Sequence, residues 1–331
     1  MYLINYYFRE KGKAFSIERV FEELALSFKS SSVKIDPLYC PFSGGKNLLN
    51  VLRNGLWARR NAKDINHITG DAHYLALFLQ NKSCILTIHD CDMLRSLSGL
   101  RRWLVWLIWL YLPVHSSDVV TVISEKTKEE LCRLTKIKPS SVRVIPNCVS
   151  DSFQFAPKTD FPEKARVLIL GTKINKNLFR ISKALSGLKV ELRIIGELSQ
   201  KQEDDLHTFG LQWTNASKLS NEDILLEYKL CDLVLFPSLH EGFGMPIVEA
   251  QAIGRPVITS NISPMKEVAG MGAILVNPES VDSIKAGVCK ILKEPHLRRD
   301  LIEKGQENVK RFRVSVISAE YWKVYDQLKR N

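Results

Sequence analysis

The segment Phe236 to Pro256, FPSLHEGFGMPIVEAQAIGRP, decides how the rest of the chain is read. An apolar run ends at Phe236, a loop carrying Gly242 and Gly244 follows, and Pro246 stands where a first-turn residue loses nothing by lacking an N–H. A strand, a glycine loop and a helix start in that order predict an anion site. Free amides of the loop and first turn point at a phosphate, and the helix dipole favours its charge. A carboxylate beside a phosphate would be repelled. Glu241, just before the glycines, and Glu249, eight positions on, are therefore expected to meet hydroxyls such as those of a ribose and a sugar ring.

Working outward, short β-branched runs alternate with helical stretches along nearly the whole chain, which predicts an α/β protein with doubly wound parallel sheets. In the first half strands are expected at 2–8, 33–39, 65–69, 85–89, 119–123 and 142–145. In the second they are expected at 166–170, 191–195, 211–214, 233–236, 256–259 and 273–276. Their continuously apolar character suits strands buried on both faces. Pro146 to Pro162 has no periodicity and three prolines, so it reads as a linker between halves. At 331 residues, two domains are the natural size. We expect an N-terminal Rossmann-like domain over 1–155, a second over 156–312 and a terminal helix over 313–331 that packs back on the first. Chemistry is expected at the carboxyl ends of the strands.

With 45% hydrophobic and 25% charged residues, the composition excludes disorder and polytopic membrane proteins. Residues 1–150 hold 21 basic against 13 acidic side chains, the rest 26 against 23, so the first half is the one expected to face something anionic. The seven cysteines form no C-x-x-C pair and read as buried thiols of a reducing compartment. No signal peptide is visible at the start, which favours a cytoplasmic location, with the inner face of a membrane as the alternative. Trp103 to Val114, WLVWLIWLYLPV, lacks charge but is shorter than the ~20 residues a span requires. It reads either as a core helix or as a peripheral membrane contact, with Arg95, Arg101 and Arg102 meeting anionic head groups.

The motif EGFGMPIVEA followed by GRPVITS resembles the donor-site signature of the family 4 retaining glycosyltransferases of the GT-B type, also called glycosyl transferases group 1. VTVISEKTKEEL, VIPN and LGTKINKN resemble segments of the same family in the same order, so the likeness covers roughly residues 64 to 310. It implies two Rossmann-like domains facing across a cleft and a nucleoside diphosphate sugar as donor, with no metal or other cofactor. Glu249 would hold the nucleotide ribose. Gly242, Phe243 and Gly244 would offer amides to the donor phosphate and sugar, and Glu241 would contact the sugar. Lys176 matches the diphosphate-binding lysine, and Lys173 lies in the same loop. His89, closing LTIHD, matches a histidine that reaches the donor sugar. Asp71 and His73, in HITGDAHY, are candidates on the acceptor side. The implied partners are a nucleotide sugar and a glycan or lipid-linked acceptor of the cell envelope, and no nucleic acid.

Rival readings are weaker. Asp90 and Asp92 imitate a metal-holding D-x-D pair, and His67, Asp71, His73, His89 and Asp90 could be drawn as a metallohydrolase cluster, but neither uses the EGFG loop. A nicotinamide enzyme would need a third glycine after Gly244 at the fingerprint spacing. A glycosidase would place two carboxylates on opposite faces of a bond, whereas Glu241 and Glu249 share one loop and helix. A non-catalytic nucleotide-sugar-binding or scaffold subunit with the same fold is the alternative to an enzyme.

Overall fold

The computed structural model describes residues 2–12, 15–28, 33–44, 47–80, 82–95 and 97–330. The chain divides into two compact units, Met1–Cys148 with Val314–Asn331, and Val149–Arg313. The division falls after Cys148, seven residues before the boundary expected from sequence. Backbone bonding shows why residues 149–155 go with the second unit: Val149 N–H donates to the Phe312 carbonyl, and Ala156 N–H to that of Ile253.

The first unit is built on β1 (Tyr2–Phe8), β2 (Val33–Tyr39), β3 (Ile65–Ile68), β4 (Ser83–Ile88), β5 (Val119–Val122) and β6 (Val142–Val144). All pairs are parallel and the order is β2-β1-β3-β4-β5-β6. The β3 and β5 strands are buried at every residue, which accounts for their unbroken apolar reading. The order reverses between β1 and β3, so a crevice is expected beyond Phe8 and Ile68.

One layer of this unit consists of the helix Leu48–Asn61, the 3-10 helix His73–Phe78 and a long helix from Gly99 to Ser116. Gly55 is required here, since a Cβ would lie 2.4 Å from the ring of Phe78. The long helix passes through a π-helical stretch, Trp106–Tyr111. Pro113 has no N–H to give the Trp109 carbonyl four residues back, and His73 Nδ1 takes that place at 2.9 Å.

The terminal helix Val314–Arg330 belongs to this unit and carries tyrosines into a buried polar chain. Tyr325 OH lies 2.7 Å from Tyr6 OH and 2.9 Å from His67 Nδ1, while His67 Nε2 lies 2.7 Å from Thr87 Oγ1. Burial holds His67 down to about 3, and burial also lowers His73 and His89. These imidazoles are neutral in the fold, whereas in the unfolded chain they gain protons below about pH 6.5. The stability these three histidines contribute is therefore fully present above about pH 6.5 and is lost as pH falls. At pH 5, His67 alone is expected to cost about 2 kcal/mol. Melting temperature followed from pH 8 to 5 checks this, and a flat profile would contradict it.

The second unit contains β7 (Ala165–Leu170), β8 (Val190–Ile195), β9 (Gln212–Ala216), β10 (Leu233–Phe236), β11 (Val257–Ser260) and β12 (Ile274–Val276). The order is β12-β11-β10-β7-β8-β9, again all parallel. This is the doubly wound dinucleotide-fold order, reversing between β7 and β10. The faint apolar signal of β9 reflects its place at the sheet edge, where most of its residues stay solvated.

Candidate functional site

The sheet order of the second unit locates the site before any side chain is considered. Loops leaving β7 and β10 at the reversal point face each other over the strand ends, and they are the two loops carrying LGTKINKN and HEGFG. They are tied by backbone and side chain: Leu239 N–H donates to the Asn175 carbonyl at 2.8 Å, and Asn175 Nδ2 donates to the His240 carbonyl at 3.0 Å. Asn177, buried and left-handed at φ 65°, anchors the first loop by donating from Nδ2 to the carbonyls of Pro237 and Pro278.

Within this frame Lys176 Nζ lies 2.6 Å from Glu241 Oε1 and 4.6 Å from the Phe236 ring centroid. Both charged side chains are largely enclosed, at 18% and 15% exposure. Asn175 Nδ2 adds a 3.2 Å bond to the same carboxylate oxygen. Gly171 makes the arrangement possible: its φ is +91°, and a Cβ there would come within 2.9 Å of Lys176 Cε.

The helix Met245–Ile253 begins at Gly244, whose φ of +113° turns the chain into the first turn, with Pro246 near its start as expected. Gly242, Phe243 and Gly244 bring their backbone to this helix start. Phe243 itself is buried, its ring edge-to-face with Phe312 at 5.5 Å. Glu249 is buried in the same helix, where its carboxylate accepts a 2.6 Å bond from Tyr228 OH. Lys173 is exposed at the head of the Ile174–Lys176 turn.

The other candidates lie in the first unit. His89 is buried just past β4, with Nε2 2.8 Å from the Thr69 carbonyl. Asp71 pairs with Arg9 at 2.5 Å across the β1–β3 reversal point. His73 is buried against the long helix, and its Nε2 has no hydrogen-bond partner among the described residues. A cavity of about 910 Å3 opens at these strand ends, with Arg9, Asp71, Asp90, Phe42, Arg101 and Trp109 in its wall. The D-x-D pair is engaged locally, since Asp90 Oδ1 accepts from Asp92 N–H and Asp92 pairs with Arg95. Among the described residues, no group of three His, Cys, Asp or Glu gathers as metal ligands would.

The sequence reading missed Tyr228, Asn175, Asn177 and Arg9. The position of Arg9 directly after the first strand was the available signal. The others act through contacts that no local pattern encodes.

Two doubly wound parallel sheets, the second with a lysine–glutamate pair over its reversal point and a glycine-opened helix beside it, define an α/β protein of the nucleotide-binding type. Family profiles agree: that of glycosyl transferases group 1 matches residues 152–308, and that of glycosyltransferase family 4 matches residues 19–153. The chain belongs to the family 4 glycosyltransferases with the GT-B fold.

Among its relatives, the serotype-specific mannosyltransferase WbdA of Escherichia coli is 27% identical over 209 residues, covering 56% of this chain and 26% of that protein. The chain thus spans about a quarter of that relative's length. The O-antigen chain mannosyltransferase B of Escherichia coli is 26% identical over 285 residues, 78% of this chain and 74% of that protein. Anabaena HepE, solved in complex with UDP-glucose, superposes with a TM-score of 0.80 at 15% identity over 99% of this chain and 100% of its own.

Proposed function

We propose that the chain transfers a sugar from a nucleoside diphosphate sugar to an acceptor hydroxyl with retention of anomeric configuration, in the synthesis of a cell-envelope or lipid-linked polysaccharide. The observation carrying this reading is the Lys176–Glu241 pair beside the helix that opens at Gly244. The departing diphosphate needs positive charge, which Lys176, the amides of Gly242 to Gly244 and the helix dipole supply without a metal ion. Glu241, freed from Lys176 when the diphosphate takes the ammonium, turns to the hydroxyls of the sugar. Glu249, steadied by Tyr228, accepts from the ribose, and Lys173 adds a second cation at the loop mouth. On the acceptor side Asp71 stands in the cavity wall with His73 buried two residues on, and His89 keeps the donor-sugar role that the family likeness implies. The naming of one relative as a serotype-specific mannosyltransferase and of another as an O-antigen chain mannosyltransferase supports the polysaccharide setting.

The first unit's basic excess and the Trp103 to Val114 segment support peripheral contact with the cytoplasmic face of a membrane. No helix among the described residues is long and apolar enough to cross one.

A thermal-shift panel of UDP, GDP and ADP with EDTA present tests the core of the reading. One nucleoside diphosphate at about 100 times its Kd should add about 2.7 kcal/mol to stability. No shift from any of the three, or a shift abolished by EDTA, would overturn it.

A further inference from the structure

The helix Leu48–Asn61 has two apolar faces where one would serve. Val51, Gly55 and Ala58 are buried, and the fit of Gly55 against Phe78 forbids rotation of the helix. Leu48, Leu52 and Leu56, spaced four apart, together with Leu49, point the other way into solvent, with Leu48 at 64% and Leu56 at 50% exposure. Arg53, Arg59 and Arg60 share that outward side, and the helix contains no acid.

The Gly99–Ser116 helix, across the His73–Phe78 turn in the same layer, repeats the pattern. Leu100, Trp103, Leu104 and Leu112 are exposed, Trp103 at 51%, beside Arg101 and Arg102, and again without an acid. The cavity lies between the two: Phe42 to Gly44, leading into the first helix, form one rim, and Arg101, Val105 and Trp109 form the other.

We infer that these two helices, not the tryptophan-rich one alone, form a platform seating the first unit on an anionic lipid bilayer, with the cavity opening toward the head groups between them. The inference deepens the lipid-linked acceptor reading and rests on it. Charge complementarity selects the occupant. Five arginines with no acid on either helix would repel a second copy of the same face, while anionic head groups attract them. Exposed leucines and an interfacial tryptophan suit the depth of a bilayer's head-group boundary, which demands no fixed shape.

Co-flotation of the full chain with vesicles tests this. Wild-type protein should float with phosphatidylcholine–phosphatidylglycerol vesicles, not with phosphatidylcholine alone, and molar salt should release it. Leu52→Glu with Leu56→Glu, and separately Arg59→Glu with Arg60→Glu, should each lower vesicle binding about thirtyfold or more. Both pairs should keep the wild-type melting temperature and nucleoside diphosphate response. Wild-type failure to float, unchanged flotation of both pairs, or sedimentation showing that the leucines hold a dimer or an acidic protein partner would overturn it. The salt release needs no variant, so it decides even where a substituted chain folds poorly. Absent flotation with an intact nucleotide response removes the platform alone, whereas an absent nucleotide response with intact flotation removes the transfer reading.

Discussion

Lys176→Ala is expected to lower kcat/KM for sugar transfer by roughly 10²- to 10³-fold with little change in melting temperature, because a preorganised cation aimed at the leaving group acts mainly in the transition state. The loss should lie in kcat at saturating donor, since ground-state binding retains the loop amides and the helix start. Glu241→Gln makes the complementary case. Lys176 is held at 2.6 Å by that carboxylate, so neutralising it frees the ammonium for phosphate. Binding of the nucleoside diphosphate product should therefore tighten several-fold, by the ~1 kcal/mol of such a pair, while transfer falls by orders of magnitude because the proposed sugar contact is lost. Calorimetric titration with the nucleoside diphosphate beside initial-rate kinetics measures both. Near-wild-type turnover of Lys176→Ala, or weaker nucleotide binding by Glu241→Gln, would falsify the roles assigned here.

The parts of the fold legible in the sequence are those determined by local physics. Strands buried on both faces must be apolar throughout, so β10 and β5 read as they are built, and the glycines at 242 and 244 with Pro246 announce a helix start that the structure places at Met245. Family likeness then added Lys176, whose loop carries no periodic signal at all. The clamps were not legible, because they are long-range: Tyr228 meets Glu249 from 21 residues upstream, and Asn177 reaches Pro278 across 101. The outward leucines of Leu48–Asn61 were also hidden. A helix with two apolar faces scores like a well-buried one until the core shows which face it takes, and Gly55 on Phe78 is the contact that decides. The linker's unpatterned residues likewise could not show that Val149 pairs with Phe312.

Removal of one carboxylate far from the chemistry should be the most damaging change to stability. Glu227 is buried on the helix Asn221–Leu230, where it pairs with Arg166, at the start of β7, at 3.1 Å and with Arg193 of β8 at 2.5 Å. Arg193 grips it from both Nε and Nη2. In Glu227→Ala the guanidinium groups of Arg166 and Arg193 lose the carboxylate they share within a largely dry layer, and an uncompensated buried charge costs about 3–5 kcal/mol. For a unit of this size that is a fall in melting temperature of roughly 6–20 °C. Replacing all three residues together by leucine should recover most of the loss, because the penalty belongs to the orphaned charges and not to the missing bridge. Below the melting transition, nucleoside diphosphate affinity should stay near wild type, since Lys176 and Glu241 sit beyond the carboxyl ends of β7 and β10. Calorimetric unfolding of the single and triple variants, with nucleotide titration at low temperature, tests the separation. A triple variant no more stable than Glu227→Ala would show that the bridge itself holds the helix to the sheet.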